Sequence, residues 1–122
     1  MKTIYESTFV SAGANATESF EDNFIITFAE GAPAEVAEYC FIHRPNINLE
    51  APFNPGSLIT IGEQSWLVTA VGEVAETNLR ELGHITVRFD GAIKAEFPGT
   101  VHVEGPTPTS IEPGQKFRVL NE

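Results

Sequence analysis

The chain has 122 residues, which suits one domain over residues 1–122 and leaves little room for a second. Apolar residues make up 42% of it and charged residues 20%, so the composition predicts a folded core and excludes a disordered chain. Seven basic against 17 acidic side chains give a net charge of −10, which disfavours nucleic acid and anionic membranes and favours a basic protein as partner.

Short strand-like segments dominate the chain. The alternation over residues 3–10 places Tyr5, Ser7 and Phe9 on one side of a first strand. Apolar, β-branched runs predict further strands at residues 24–28, 58–61, 66–71, 85–89, 92–97, 100–103 and 116–120. Residues 62–65 are typical of a hairpin loop, and Asp90-Gly91 is a turn signal. Many short strands between Gly and Pro favour an all-β fold of short antiparallel strands, a barrel or a sandwich.

Two short helices interrupt the strands. Residues 33–39 predict about two turns, with Pro33 at the first helical position and Glu35 in the first turn. Residues 73–82 have apolar side chains at one-face spacing, and Gly83 is well placed to end that helix. The Pro-rich segments 44–56 and 105–114 are predicted to be loops.

Several functional classes find no support in the sequence. The single cysteine, Cys40, excludes an internal disulfide and multi-cysteine zinc sites. Its neighbours supply no positive charge, so an inert buried thiol is predicted rather than a nucleophile. There is no Gly-rich phosphate loop. No segment has the ~20 apolar residues of a membrane span, and the N-terminus does not resemble a signal peptide, so the expected location is cytoplasmic.

The three histidines are the candidates for chemistry. His43 lies where the apolar run 38–43 meets a loop; a neutral ring there, with one nitrogen accessible and the other hydrogen-bonded, would suit a nucleophile. The alternative is a strand-end histidine bonded to a backbone carbonyl. His84 follows the helix stop, and His102 alternates with Val101 and Val103 in a strand. Structural roles for these two, or a metal site of all three histidines, remain open.

Long blocks of the sequence resemble one family. The segment GAPAEVAEYCFIH, residues 31–43, is similar to the active-site segment of the glucitol/sorbitol-specific enzyme IIA component of the bacterial sugar phosphotransferase system. The same family is resembled by VTAVGEVAE at 68–76, NLRELGH at 78–84, RFDG at 88–91 and AEFPGTVHV at 95–103. The resemblance covers residues 31–114 with these blocks in order, whereas the first 30 residues, the last few and segment 44–56 match less distinctively.

The resemblance implies a phosphoryl carrier built as a small closed β-barrel. It implies that His43 takes a phosphoryl group from the phosphocarrier protein HPr and passes it to the cognate IIB component, without a cofactor or metal. The sugar, glucitol (sorbitol), would be phosphorylated later at the membrane. Transfer between imidazoles needs in-line approach and donors for the phosphate oxygens.

For those donors, the sequence offers backbone N–H groups around His43 together with His84 or His102, and we expect at least one of these two rings near His43. The apolar neighbours Phe41 and Ile42 are either a docking patch or, slightly favoured, core. Two other classes stay open: a non-catalytic β-barrel that binds a partner or regulates, and a histidine-based metal-binding barrel.

Overall fold

Eight strands form a closed barrel in the computed structural model, which describes all 122 residues. The strands are β1 (Lys2–Ala12), β2 (Phe24–Ala29), β3 (Phe41–Asn48), β4 (Leu58–Ile61), β5 (Gln64–Val71), β6 (Ile85–Arg88), β7 (Thr100–Glu104) and β8 (Lys116–Asn121). Three short helices accompany them: a 3-10 helix at Ala16–Asp22, α1 at Ala34–Ala37 and α2 at Ala75–Leu82. The predicted fold class, a mainly-β closed barrel with short helices, is confirmed.

The order of strands around the barrel is β1-β3-β2-β6-β7-β5-β4-β8, and β8 pairs with β1 to close it. Most neighbours are antiparallel, but β2 with β3 and β6 with β7 are parallel. The prediction of antiparallel strands throughout is therefore wrong for these two pairs. Each parallel pair is joined by a crossover: the segment containing α1 links β2 to β3, and the loop 89–99 links β6 to β7.

Apolar side chains fill the barrel because alternate residues of each strand point inward. On β1 the buried set is Tyr5, Ser7 and Phe9, as the alternation predicts. Trp66, predicted to be a core residue, is buried, and its indole N–H donates to the Pro106 carbonyl at 2.8 Å. The largest fully buried side chains also include two histidines, His43 and His102.

Three sequence-based element assignments differ from the structure. Residues 92–97 form no strand; Ile93 in this segment is 91% exposed. Strand β3 continues to Asn48, into the segment 44–56 predicted to be a loop, and carries Pro45 at a register shift opposite Ser7. A proline is tolerated there because a bulge leaves one residue without a ladder hydrogen bond. The helix predicted at residues 33–39 is α1, which has one turn and not two, and Pro33 is its N-cap.

Candidate active site

His43 lies on β3 with its ring inside the barrel and 0% of the residue exposed. Both ring nitrogens have partners: Nδ1 is 2.5 Å from the Ser7 hydroxyl oxygen on β1, and Nε2 is 2.7 Å from the carbonyl oxygen of Gly83. Three aromatic rings meet the imidazole edge to face, at centroid distances of 5.3 to 6.2 Å; they belong to Tyr5, Phe9 and Phe117. His43 is thus a core residue with satisfied polar atoms.

The Gly83 carbonyl fixes the proton on this ring. A carbonyl oxygen only accepts hydrogen bonds, so the proton of neutral His43 sits on Nε2 and donates to Gly83. Nδ1 then carries the lone pair and accepts from the Ser7 hydroxyl. Burial lowers the pKa of His43 below its ordinary value, partly opposed by the hydrogen bond to Gly83, so the ring is uncharged near neutral pH.

The turn after α2 covers the Nε2 edge of the ring. Helix α2 ends at Leu82 and is capped by Gly83, whose left-handed conformation (φ 66°) is one that glycine adopts without strain. Its carbonyl accepts a second hydrogen bond, from the Thr27 hydroxyl at 2.9 Å. Gly83 itself is buried, but Leu82 before it is exposed and His84 after it is half-buried. One residue of backbone therefore separates Nε2 from the surface.

The predicted accessible face of His43 is not observed. The ring is uncharged, as a nucleophile requires, and a hydrogen bond fixes its tautomer. However, Nε2 faces a carbonyl that seals it from solvent, and the nitrogen with the lone pair faces Ser7 in the interior. In this closed conformation a protein donor cannot reach either nitrogen in line.

His84 lies at the same end of the barrel as His43, because it directly follows Gly83. Its ring stacks on Phe28 at a centroid distance of 4.7 Å and is half-buried. Burial lowers the pKa of His84, so this ring too is neutral near pH 7. Neither ring nitrogen has a hydrogen-bond partner within the chain, which leaves both free to bind a ligand at the surface.

His102 lies away from His43, at the other end of β6. It pairs in register with Arg88, the last residue of β6, whereas His43 contacts Gly83, just before β6 begins. Its Nδ1–H donates to the Asp90 carboxylate at 2.8 Å, and its Nε2 accepts from the Glu96 amide at 3.2 Å. The structure thus brings His84 to the end of the barrel where His43 lies, and does not bring His102 there.

Asp90 is the carboxylate partner of His102. Partial burial raises the pKa of Asp90, but hydrogen bonds from His102 and the Ala92 amide outweigh it and hold that pKa below its ordinary value. The contacts of Asp90 and Glu96 with one ring tie the loop 89–99 to β7. In this arrangement His102 organises a loop.

The remaining candidates are placed in or near the core. Cys40 is buried, its thiol donates to the Val36 carbonyl, and burial raises its pKa to about 11, as predicted for an inert thiol. Phe41 is buried in the core and Ile42 is half-buried. No group of three or more His, Cys, Asp or Glu side chains is arranged to hold a metal ion.

Sequence reasoning missed the two direct partners of His43. Ser7 is the small polar member of an otherwise aromatic inward face on β1, between Tyr5 and Phe9, and that break in the pattern was its only signal. Gly83 was recognised as a helix stop, but nothing in its neighbourhood indicated that its carbonyl meets a residue 40 positions earlier.

Comparison with known proteins identifies the family. A family model described as the PTS system glucitol/sorbitol-specific IIA component matches residues 4–118. The chain belongs to this family. The resemblance found in the sequence is thereby confirmed, and with it the function: this IIA component is a phosphoryl carrier, a phosphotransferase that acts through a phosphohistidine.

Two relatives match this IIA component over its full length. The PTS system glucitol/sorbitol-specific EIIA components of Shigella flexneri and of Escherichia coli (strain K12) are each 52% identical in an alignment of length 124 that covers 100% of both chains. The crystal structure of a PTS system IIA component from Enterococcus faecalis V583 has a TM-score of 0.82 and 22% identity, covering 95% of this chain and 99% of that one. That likeness shows the shared fold. No helix is long and apolar enough to cross a membrane.

Proposed function

We propose that His43 accepts the phosphoryl group of phospho-HPr on Nε2 and passes it to the IIB component of the glucitol/sorbitol permease, in the cytoplasm and as one domain over residues 1–122. The observation that carries this proposal is the state of the ring. His43 is neutral, its ring is held in one orientation by hydrogen bonds at both nitrogens, and only the turn at Gly83 lies between Nε2 and the surface.

The choice of Nε2 follows from what surrounds the two nitrogens. Nδ1 points at Ser7, a residue of β1 with no exposed surface, and its flanking rings leave no path for a protein donor. Nε2 points at the turn that ends α2. Phosphoryl transfer in line with Nε2 therefore requires residues 82–84 to swing away from the barrel before the donor docks.

His84 is the proposed donor to the phosphate oxygens. It moves with the turn that must open, its ring is half-buried, and its nitrogens have no partner within the chain. The one N–H of its neutral ring and nearby backbone N–H groups can donate to phosphate oxygens without a metal or cofactor. His102, engaged by Asp90 and Glu96, is proposed to support the site only through the fold.

Intact mass before and after phosphorylation tests this assignment. Mixed with phosphoenolpyruvate, enzyme I and HPr, the parent protein should gain the mass of one phosphoryl group, in a bond that is labile in acid and stable in base. His43→Ala should gain none, His84→Ala should gain it more slowly, and His102→Ala should gain it at the parent rate. Phosphate on His43→Ala, or equal rates for His84→Ala and the parent, would overturn the corresponding role.

The other functional classes predict different outcomes of the same measurement. A non-catalytic barrel would keep His43 sealed and gain no phosphate. A histidine-based metal protein would need its three histidines together, whereas His43 and His102 have separate partners at opposite ends of β6. The sealed ring of His43 is compatible with a non-catalytic barrel, and membership of the IIA family supports the carrier over both classes.

A further inference from the structure

The hydroxyl of Ser7 is the most specific contact that the proposed reaction leaves unused. It lies 2.5 Å from His43 Nδ1, in the barrel interior, where Ser7 has no exposed surface. A serine hydroxyl can either donate or accept a hydrogen bond by rotating its proton, whereas an alanine side chain can do neither. Ser7 can therefore bond Nδ1 with or without a proton on that nitrogen.

The resting tautomer of His43 is the wrong one for attack through Nε2. The electron pair that would form the new bond is held by the Nε2 proton, which donates to the Gly83 carbonyl. Before phosphoryl transfer, Nε2 must lose that proton and Nδ1 must gain one. Water that enters when the turn at residues 82–84 opens can take the proton from Nε2 and supply a proton to Nδ1, so that the ring stays neutral.

We propose that Ser7 is a positioning residue for His43: its hydroxyl donates to Nδ1 in the resting protein and accepts the Nδ1 proton in the tautomer that reacts. This inference rests on the proposed role of His43 and assigns the group that holds its reactive tautomer in place. Without that acceptor, a protonated Nδ1 would face the rings of Phe9 and Phe117 with no polar partner, and the reactive tautomer would be disfavoured.

The transfer step balances with Ser7 in this role. The Nε2 electron pair forms a P–N bond as the P–N bond of the donor phosphohistidine breaks, and the pair of the broken bond returns to the donor nitrogen. The His43 ring then carries a proton on Nδ1 and a positive formal charge beside the phosphoryl group. Ser7 accepts that N–H hydrogen bond until the proton leaves or the phosphoryl group moves on.

Ser7→Ala tests the inference, with Ser57→Ala as a matched control. Ser57 is also a buried serine, 4% exposed against 0% for Ser7, and its hydroxyl donates to Asn121 at 2.5 Å and not to His43. We expect Ser7→Ala to lower kcat for phosphorylation by HPr about 10- to 100-fold, with KM unchanged, because a misoriented or mis-tautomerised group loses that much rate. Ser57→Ala should keep the parent kcat.

Nitrogen chemical shifts of the imidazole supply a readout that a merely structural role would not move. In the parent, the shifts should report the Nε2–H tautomer at rest and a protonated Nδ1 population after phosphorylation. Ser7→Ala should keep the signal of the Nε2–H tautomer at rest and lose most of the signal of protonated Nδ1 after phosphorylation. Ser7→Cys, which keeps the shape but bonds weakly, should lie between the two, and it replaces Ser7→Ala if the alanine variant does not fold.

The outcomes separate the two proposals. If the parent gains no phosphoryl group, or if His43→Ala gains one, the proposed role of His43 fails. If the parent is phosphorylated on His43 and Ser7→Ala has the parent kcat and the parent shifts, only the positioning role of Ser7 is overturned. A lower final extent of phosphorylation with an unchanged rate constant reports loss of folded protein and counts against it as well.

Discussion

His43 combines two roles that usually fall to different residues. In the closed conformation it behaves as core, with no exposed surface and edge contacts to three aromatic rings. The proposed chemistry needs the same ring at the surface. Because the seal over Nε2 is one glycine turn held by hydrogen bonds, the two roles are compatible if opening is local and the barrel stays folded.

The buried neutral state of His43 predicts a pH dependence of stability. Its folded pKa lies below the ordinary value, so between pH 6.5 and the folded pKa the unfolded chain binds a proton that the folded chain does not. The contribution of His43 to the free energy of unfolding is therefore fully present above about pH 6.5. It decreases as the pH falls, with a limiting slope of about 1.4 kcal/mol per pH unit. Urea denaturation between pH 7.5 and 5 measures this slope.

The variant His43→Gln separates this contribution from that of His84. The pKa of His84 is also lowered by burial, and the carboxylates with lowered pKa values titrate at lower pH. The glutamine variant should lose most of the slope between pH 6.5 and 5, because only the half-buried His84 remains to add to it. An unchanged slope would show that His43 is not kept neutral by the fold.

Sequence reasoning reached His43 and not the atoms around it. The ring was identified through a family resemblance in residues 31–43, and its neutral state was a chemical requirement of that role. Its burial was missed because the strand β3 extends through Pro45, so the ring sits inside a strand and not at a strand end. The hydrogen bonds to Ser7 and Gly83 join segments 36 and 40 residues away, which local patterns do not encode.

At the scale of elements, helix α2 and the turn at Gly83 set the position of the seal. Ala75 and Leu79 are the buried residues of α2, whereas Leu82 at its end is exposed. The helix therefore holds to the barrel mainly at its first turns, and its last turn leads directly into the carbonyl over His43. This distribution of contacts suits a segment that opens at its C-terminal end.

Gly83→Ala should destabilise the protein more than Gly31→Ala does. Both glycines have positive φ, 66° and 95°, so both variants incur a backbone cost of about 1–2 kcal/mol. A Cβ at position 31 meets no atom within 4 Å, whereas at position 83 it would lie 2.8 Å from Ala29 Cβ and from His43 Cε1. Overpacking adds about 1–3 kcal/mol.

Urea midpoints of the two glycine variants measure this difference. Gly83→Ala should also weaken the seal, because its Cβ pushes against the His43 ring, so the ring should react faster with a small histidine-modifying reagent. Equal midpoints for the two variants would mean that the turn is already loose in solution.

His102 makes the loop 89–99 part of the barrel, and its removal should cost stability rather than transfer. His102→Ala leaves the Glu96 amide without its acceptor and opens a cavity beside β7. A loss of about 2–4 kcal/mol in the free energy of unfolding is expected, against a small effect for the half-buried His84→Ala. Chemical denaturation compares the two, and a large loss for His84→Ala alone would reverse their assignments.

The elements predicted correctly and those predicted wrongly differ in how local their causes are. The strand β4 was predicted with its observed bounds because its apolar, β-branched run ends at a tight turn, Gly62-Glu63. The segment 92–97 looked like a strand, yet no neighbour offers it an edge, because β6 and β7 already pair with each other in parallel. Parallel pairing is a property of the whole barrel and has no signature in one segment.

At the scale of the whole molecule, closure and charge decide what can bind. The eight-strand order closes on itself, so no strand edge is left for a partner to extend. Partners must therefore dock through side chains and loops. The chain carries 17 acidic against seven basic side chains, and the field of this surface favours a basic partner face and repels free phosphate donors.

Opposite salt dependences for two phosphoryl donors should follow from this charge. At low HPr concentration the rate of phosphorylation depends on the encounter of the two proteins, and added salt screens the attraction between a basic donor face and a chain of net charge −10. Its kcat/KM should fall by about tenfold between low salt and ~0.5 M NaCl, where the Debye length has shrunk to a few ångströms. Phosphoramidate, a small anionic donor, is repelled by the same field, so its slower reaction with His43 should be unchanged or faster in salt. Initial rates for both donors, with His43→Ala as the blank, give the comparison. A parallel fall for both donors would mean that salt acts on the opening of the turn over His43 and not on the encounter.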